Sequence, residues 1–298
     1  IAMQMYIGPN DFEILRSFGN DLEDVVPFGS SIFGTVNRWI IRPLFNFLQS
    51  WIASAGLVIL FLTVIVKLAL YPLTYRMLKS QTKMASLKPE IEKIKNKFKD
   101  DSSQQQMETM KLYREYGVSP LGGCMPMLLQ MPIWFALYRF FPASIEFRQA
   151  PFWWADDLSS YDVITYLPFE IPMFGGHISL FTILWVLTTL LYTYYNRKIV
   201  DMSANPAMKY MQYLMPVMFL FFFNNYASGL TAYLMFSNIF NIGQTLITKN
   251  VILDQDKIRE GLEVNKNKPK KKGGFQERLE KALKEQQKVQ AERQKKKK

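Results

Sequence analysis

The sequence predicts an all-α polytopic membrane protein with five spans, an αα-hairpin on the cytoplasmic side and an amphipathic helix lying in the outer interface. Three observations carry this. Apolar residues make up 49% of the 298 and are gathered into blocks rather than spread at the periods of a soluble core. Five blocks, at 52–66, 121–141, 178–195, 210–226 and 230–247, are long enough, or nearly so, to cross a ~30 Å hydrocarbon layer as helices of roughly 20 residues. Charge then alternates between the connecting segments, and short loops rich in lysine and arginine stay in the cytoplasm.

That alternation orients the chain. RMLKSQTKMASLKPEIEKIKNKFKDD, after the first block, is crowded with lysine, whereas 146–178 holds Glu146, Asp156, Asp157, Asp162 and Glu170 against Arg148. Arg197, Lys198 and Lys209 follow the third block, and a lysine-rich tail follows the fifth. Five spans with the N-terminus outside satisfy every loop. Trp153, Trp154 and Tyr161 outside, and Tyr194 and Tyr195 at the inner end of the third span, fall where amphipathic rings favour the interface.

Taken in order, residues 1–27 read as the end of an outer, periplasmic domain. The chain opens on Ile1 without a charged-then-apolar leader, so the expectation is a longer natural protein. Residues 28–50 place Ile32, Phe33, Val36, Trp39, Ile40, Leu44, Phe45 and Leu48 at helical spacing, interrupted by Arg38 and Arg42, with a kink expected at Pro43. The five-span core is 51–250, with the hairpin at 80–118 and the outer loop at 146–178. In the hairpin, Met84, Leu87, Ile91, Ile94 and Phe98 form one stripe; DDSSQQ breaks the pattern before Met107, Met110, Tyr113 and Tyr116 form a second. These stripes suit packing of the hairpin on itself or a surface adapted to many apolar partners.

From Lys249 onward the tail carries 17 Lys or Arg against 8 Asp or Glu. NKNKPKKKGG reads as a flexible linker, and the last 24 residues as a charged helix. Anionic lipid and nucleic acid both suit such a tail, with Lys270, Lys271, Lys272, Lys295, Lys296, Lys297 and Lys298 as the anion contacts.

Composition excludes several chemistries. Cys124 is the single cysteine and His177 the single histidine, so neither an intrachain disulfide nor a two-histidine metal site can form, and no GxxxxGK[ST] phosphate loop occurs. No cofactor and no metal are expected, and the chain does not read as an enzyme. The residue that asks for an explanation is Lys67, in VIVKLALYPLT, because an ionisable group at span depth is costly without water or a partner. It either snorkels toward the end of its span near Arg76 or faces a wet pocket open to the cytoplasm. Thr63 one turn earlier, Gln130 in the second block, Asn224 and Asn225 at the end of the fourth, and Asn238, Asn241 and Gln244 at spacings of three along one face of the fifth supply polar company; no acidic residue lies in any of the five blocks. A small-solute or ion transporter using Lys67 as its intramembrane site is the alternative, although the internal repeat usual in transporters is missing.

YPLT at 71–74, PLGGCMPMLLQMPIWFALY at 120–138, EFRQAPFWWADDLS at 146–159, and MPVMFLFFF and SGLTAYLMFSN between 215 and 238 resemble the YidC/Oxa/Alb family of membrane protein insertases. The resemblance runs from about residue 26 to 250, and PLGGC followed by QMPI is its most specific part. It implies a bacterial inner-membrane insertase and chaperone whose five spans enclose a hydrophilic groove, open to the cytoplasm and to lipid but closed outside. In this chain the groove residues are Lys67, where the family usually has arginine, with Thr63, Gln130, Tyr233, Asn238, Asn241 and Gln244. Only one residue of the tyrosine pair common in bacterial relatives is present, as Tyr233 followed by Leu234. Client spans would slide along Met125, Pro126, Met127, Met131 and Phe135 in the second span and Met218, Phe219, Phe222 and Phe223 in the fourth. The implied partners are nascent membrane proteins, the ribosome at the basic tail, the Sec translocon and anionic lipids, and the arrangement is compatible with a monomer.

Overall fold

The computed structural model describes residues 6–19, 21–29, 31–98, 101–118, 125–196 and 206–266. The expectations placed on Cys124, Arg197, Lys198, the linker, Lys270, Lys271, Lys272 and the four terminal lysines, Lys295 to Lys298, lie outside these residues, as do the side chains of Met125, Pro126, Met127 and Lys209. The described chain is mostly helical: α1 Phe12–Ser17, α2 Ser31–Val36, α3 Arg42–Gln49, α4 Ala55–Ala69, α5 Tyr71–Ser86, α6 Lys88–Lys97, α7 Ser102–Glu115, α8 Met125–Ala143, α9 Leu180–Asn196, α10 Pro206–Phe223, α11 Ser228–Ile247 and α12 Gln255–Lys266. Two short antiparallel strands, β1 Thr165–Ile171 and β2 Gly175–Ile178, depart from the all-α expectation. Their turn is built on Met173 and Gly175, at φ 68 and 94, where the chain reverses within the acidic loop.

Prolines set several breaks. Pro72 has no N–H to give Leu68, so the apolar run of α4 stops at Ala69 and resumes at Tyr71 as α5. Pro89 likewise sits in the first turn of α6, and the first hairpin stripe is divided at Leu87 between α5 and α6. Pro43 cannot donate to Trp39, and the chain accommodates it with a π-helical turn, Asn37–Ile41, where Arg42 N donates to Asn37 O. Among the described residues no single helix is long and apolar enough to cross a membrane; α4 and α5 satisfy the requirement only together, as a bent pair.

The described residues fall into two units. The first holds α1 to α4, the start of α5, α8, the β-hairpin, α9, most of α10, and α11 as far as Leu246; the second holds the rest of α5, α6, α7 and α12. Within the second unit, Leu87, Ile91, Tyr116, Val118, Ile258 and Leu262 are buried. The core of the first is aromatic: Phe45, Phe140, Phe141 and Phe147 form a ring cluster with centroids 5.0–5.8 Å apart.

The 28–50 segment buries only part of its apolar residues. Ile41, Phe45 and Leu48 are buried, whereas Ile32, Trp39, Ile40 and Phe47 are exposed, so apolar residues occupy both sides. Arg42, which appeared to interrupt the apolar face, is 4% exposed. Its guanidinium lies 3.3 Å from Glu13, 3.7 Å from Glu146 and 4.3 Å from the Phe12 ring centroid, which offsets the cost of burying it.

Close packing along α4 gives one test of this arrangement. A Cβ on Gly56 would sit 2.0 Å from the Phe152 ring. Gly56→Val is expected to cost about 2–3 kcal/mol through overpacking, read as a lower melting temperature in detergent, whereas Gly243→Ala, where a Cβ meets open space inside a helix, should not lower it.

Candidate functional site

Lys67 lies in the last turn of α4, where a cation complements the helix's negative end. It is 5% exposed, and its Nζ donates to Gln130 Oε1 of α8 at 3.2 Å. The other end of the same amide, Gln130 Nε2, reaches the Tyr233 hydroxyl of α11 at 3.5 Å. Among the described residues no carboxylate lies within ion-pair distance of Lys67. The cation is therefore oriented by an amide dipole but not neutralised.

Gln244 meets Lys67 from the backbone side. The last carbonyls of a helix lack intrahelical partners, and Lys67 O sits at such an end because of the break before Tyr71. Gln244 Nε2 donates to Lys67 O at 3.3 Å, while its Oε1 is buried without a hydrogen bond. Tyr233 and Gln244 are eleven residues apart, close to three full turns at roughly 100° per residue, which puts both on one face of α11.

The other expected groove residues are not all brought here. Thr63 is buried but donates to Ile59 O at 2.7 Å, using its hydroxyl proton within its own helix. Asn238 donates to Thr189 Oγ1 of α9 at 2.6 Å and so ties two helices together. Asn241 is half-buried. A spacing of three rotates each residue back by about 60°, so Asn238 and Gln244 end about 120° apart rather than on one face.

The apolar candidates divide too. Met131, Met218, Phe219 and Phe222 are 38%, 59%, 39% and 50% exposed, and Phe135 is half-buried against Phe33. Phe223 is 1% exposed, packed on Trp134 and Trp185 with centroids 6.0 and 4.9 Å away. It is a core residue and not an open contact, because it faces α8 and α9 while its neighbour Phe222 faces outward.

Asn224 and Asn225, expected beside Lys67, instead belong with the acidic loop: Asn225 donates to Met173 O at 3.1 Å, and Asn224 joins a second polar cluster there. Asp162, 2% exposed, accepts from Trp154 Nε1 and Leu180 N at 2.8 Å, from Phe181 N at 3.1 Å and from the Ser179 hydroxyl. It thus caps the N-terminus of α9 from a distant loop position. Asn224, at the end of α10, donates to Phe174 O and His177 O at 2.8 Å and accepts from Ser179 N at 2.9 Å. His177 Nε2 meets Asn224 O at 2.9 Å, and the ring stacks on Tyr161 at 3.9 Å. The loop 157–160 also caps α11, with Gly229 N donating to Leu158 O and Ser228 Oγ to Asp157 O, both at 2.9 Å. Loop 146–178 is fastened down by hydrogen bonds that a count of its acidic residues does not disclose.

Fold and site together define a mostly helical protein whose apolar helices close around a buried, unneutralised cation. A family model described as 60Kd inner membrane protein matches residues 47–255, and the chain belongs to that family of bacterial inner membrane proteins. It is 47% identical over 301 residues to the membrane protein insertase YidC of Parabacteroides distasonis, covering 96% of this chain and 47% of the relative. It is 42% identical to those of Amoebophilus asiaticus, over 95% of this chain and 47% of the relative, and Bacteroides fragilis, over 98% and 49%. A crystal structure described as "Active YidC insertase crystal structure with the first transmembrane domain resolved" is similar at a TM-score of 0.56 and 26% identity, over 83% of this chain and 54% of that one. The chain spans about half the length of the curated relatives it matches.

Proposed function

We propose that this chain is the working core of a membrane protein insertase. The observation that carries the reading is the buried Lys67 held by Gln130 without a counter-charge, in a chain whose relatives are named insertases. In this reading five spans cross the membrane, with residues 1–27 and 146–178 outside and 80–118 and the tail in the cytoplasm. A client's hydrophilic, often acidic, end enters the pocket around Lys67, Gln130 and Tyr233, which shortens the apolar barrier that it crosses. Its apolar span meets the open faces of α8 and α10 at Met131, Met218, Phe219 and Phe222 and passes into lipid. Met125, Pro126 and Met127 are carried over to the same path by resemblance. Burial of about 20 apolar residues in lipid supplies the free energy, so no ATP is consumed.

Reconstitution tests this directly. Liposomes containing the chain are expected to insert a short single-span client with an acidic translocated end above the level of empty liposomes; equal insertion in both would end the proposal. The basic tail is assigned to ribosomal RNA, a polyanion that lysines at 270–272 and 295–298 would contact. Removing residues 265–298 should lower co-sedimentation with ribosomes and flatten its salt dependence. Binding unchanged at low salt would leave anionic lipid as the tail's partner. Cooperation with the Sec translocon belongs to the same proposal through the family resemblance alone.

A further inference from the structure

Near the C-terminal end of α8 a 250 Å³ cavity is lined by Pro27, Tyr138, Arg139, Pro142, Ala143 and Tyr226. Its floor follows from one proline. Pro142 has no N–H, so the Tyr138 carbonyl loses its helical donor, and the Tyr226 hydroxyl replaces it at 2.8 Å. That bond stacks the two tyrosine rings, with centroids 4.5 Å apart and planes 15° from parallel. Arg139 stands at the rim, exposed, with no carboxylate paired to it among the described residues, and the lining contains no acid. Elsewhere in the same unit Arg38 pairs with Asp24, and Arg42 with Glu13 and Glu146. The guanidinium over the tyrosine floor is thus left with its charge available.

We propose that this cavity binds the phosphate-bearing headgroup of a phospholipid. Guanidinium donors match a phosphodiester in two-point geometry, and Tyr138, Tyr226 and the two prolines give the glycerol backbone an apolar seat. The volume admits a headgroup and excludes much larger ligands. The adjoining surface fits a lipid neighbour: α2 packs on α8, Asn37 Nδ2 bonds Ala136 O at 2.7 Å, and the nearby Ile32, Trp39 and Ile40 are exposed. The depth of the cavity rests on the orientation under the proposed function, in which this end of α8 reaches the outer headgroup layer.

The full chain, delipidated in detergent and titrated with phosphatidylglycerol, gives the test by native mass spectrometry. Arg139→Gln is expected to weaken the tightest lipid site about tenfold. Arg148→Gln, at an exposed arginine of the loop, should leave it unchanged. Excess inorganic phosphate should not displace the lipid; displacement would make this a free-anion site and overturn the lipid assignment. Equal binding by the parent and Arg139→Gln overturns the site altogether. Because the readout is binding, equal lipid affinity of the parent and Arg139→Gln with client insertion intact counts against the cavity alone.

Discussion

Replacing Asp162 with alanine is expected to destabilise the fold by about 3 kcal/mol, more than any other single change in loop 146–178. One buried carboxylate holds the Trp154 indole, the Ser179 hydroxyl and the first two amides of α9, and each loses its acceptor together. The surviving capping bond, Thr182 N to Ser179 Oγ at 3.1 Å, is too little to hold the entry to α9. Asp162→Asn should lie between parent and alanine, since it keeps one oxygen and loses the charge that favours a helix N-terminus. Thermal unfolding in detergent, together with protease cleavage within 146–178, measures both effects. Melting and cleavage unchanged in Asp162→Ala would show that the bonds from Asn224 and those between loop 157–160 and α11 hold the loop without it.

The larger functional effect is expected at Lys67. Lys67→Glu should reduce insertion of an acidic-ended client at least tenfold, the equivalent of about 1.4 kcal/mol, because a like charge then faces the incoming end. Lys67→Arg keeps the charge and should keep most of the activity, and Lys67→Ala should fall between. A client with a neutral translocated end separates charge from folding: it should enter through Lys67→Glu almost as through the parent. Equal activity of all variants with the acidic client would mean that Lys67 is not part of the path, even where the chain inserts proteins.

Much of the helical layout was legible because apolar blocks and prolines act locally. Blocks at 178–195 and 230–247 correspond to helices Leu180–Asn196 and Ser228–Ile247, and the kink expected at Pro43 falls beside the π-helical turn, whereas the breaks at Pro72 and Pro89 divide runs that read as continuous. The Lys67 partner Gln130 was legible by type, as a polar residue inside an apolar block. What stayed hidden is relational. Arg42 looked like a disruption of an apolar stripe until Glu13 and Glu146 were seen on either side of it. Asp162 counted only as one of several acids outside, although its four donors come from residues 154 and 179–181. The β-hairpin lacked the regular alternation that marks a strand, and TYLPFEI places a proline inside it. In α11 a spacing of three seemed to define one face, whereas the face toward Lys67 is set by the interval between Tyr233 and Gln244.

Gln130 presents its oxygen to the ammonium of Lys67 and its nitrogen to the hydroxyl of Tyr233. A glutamate of nearly the same shape would satisfy the lysine better and complete a closed ion pair. The amide leaves the pair open, so the region keeps one positive charge, the charge that the proposed function would present to an arriving chain. Gln130→Glu exchanges a single NH₂ for an oxygen, and it would lock that charge into a pair with almost no change in volume.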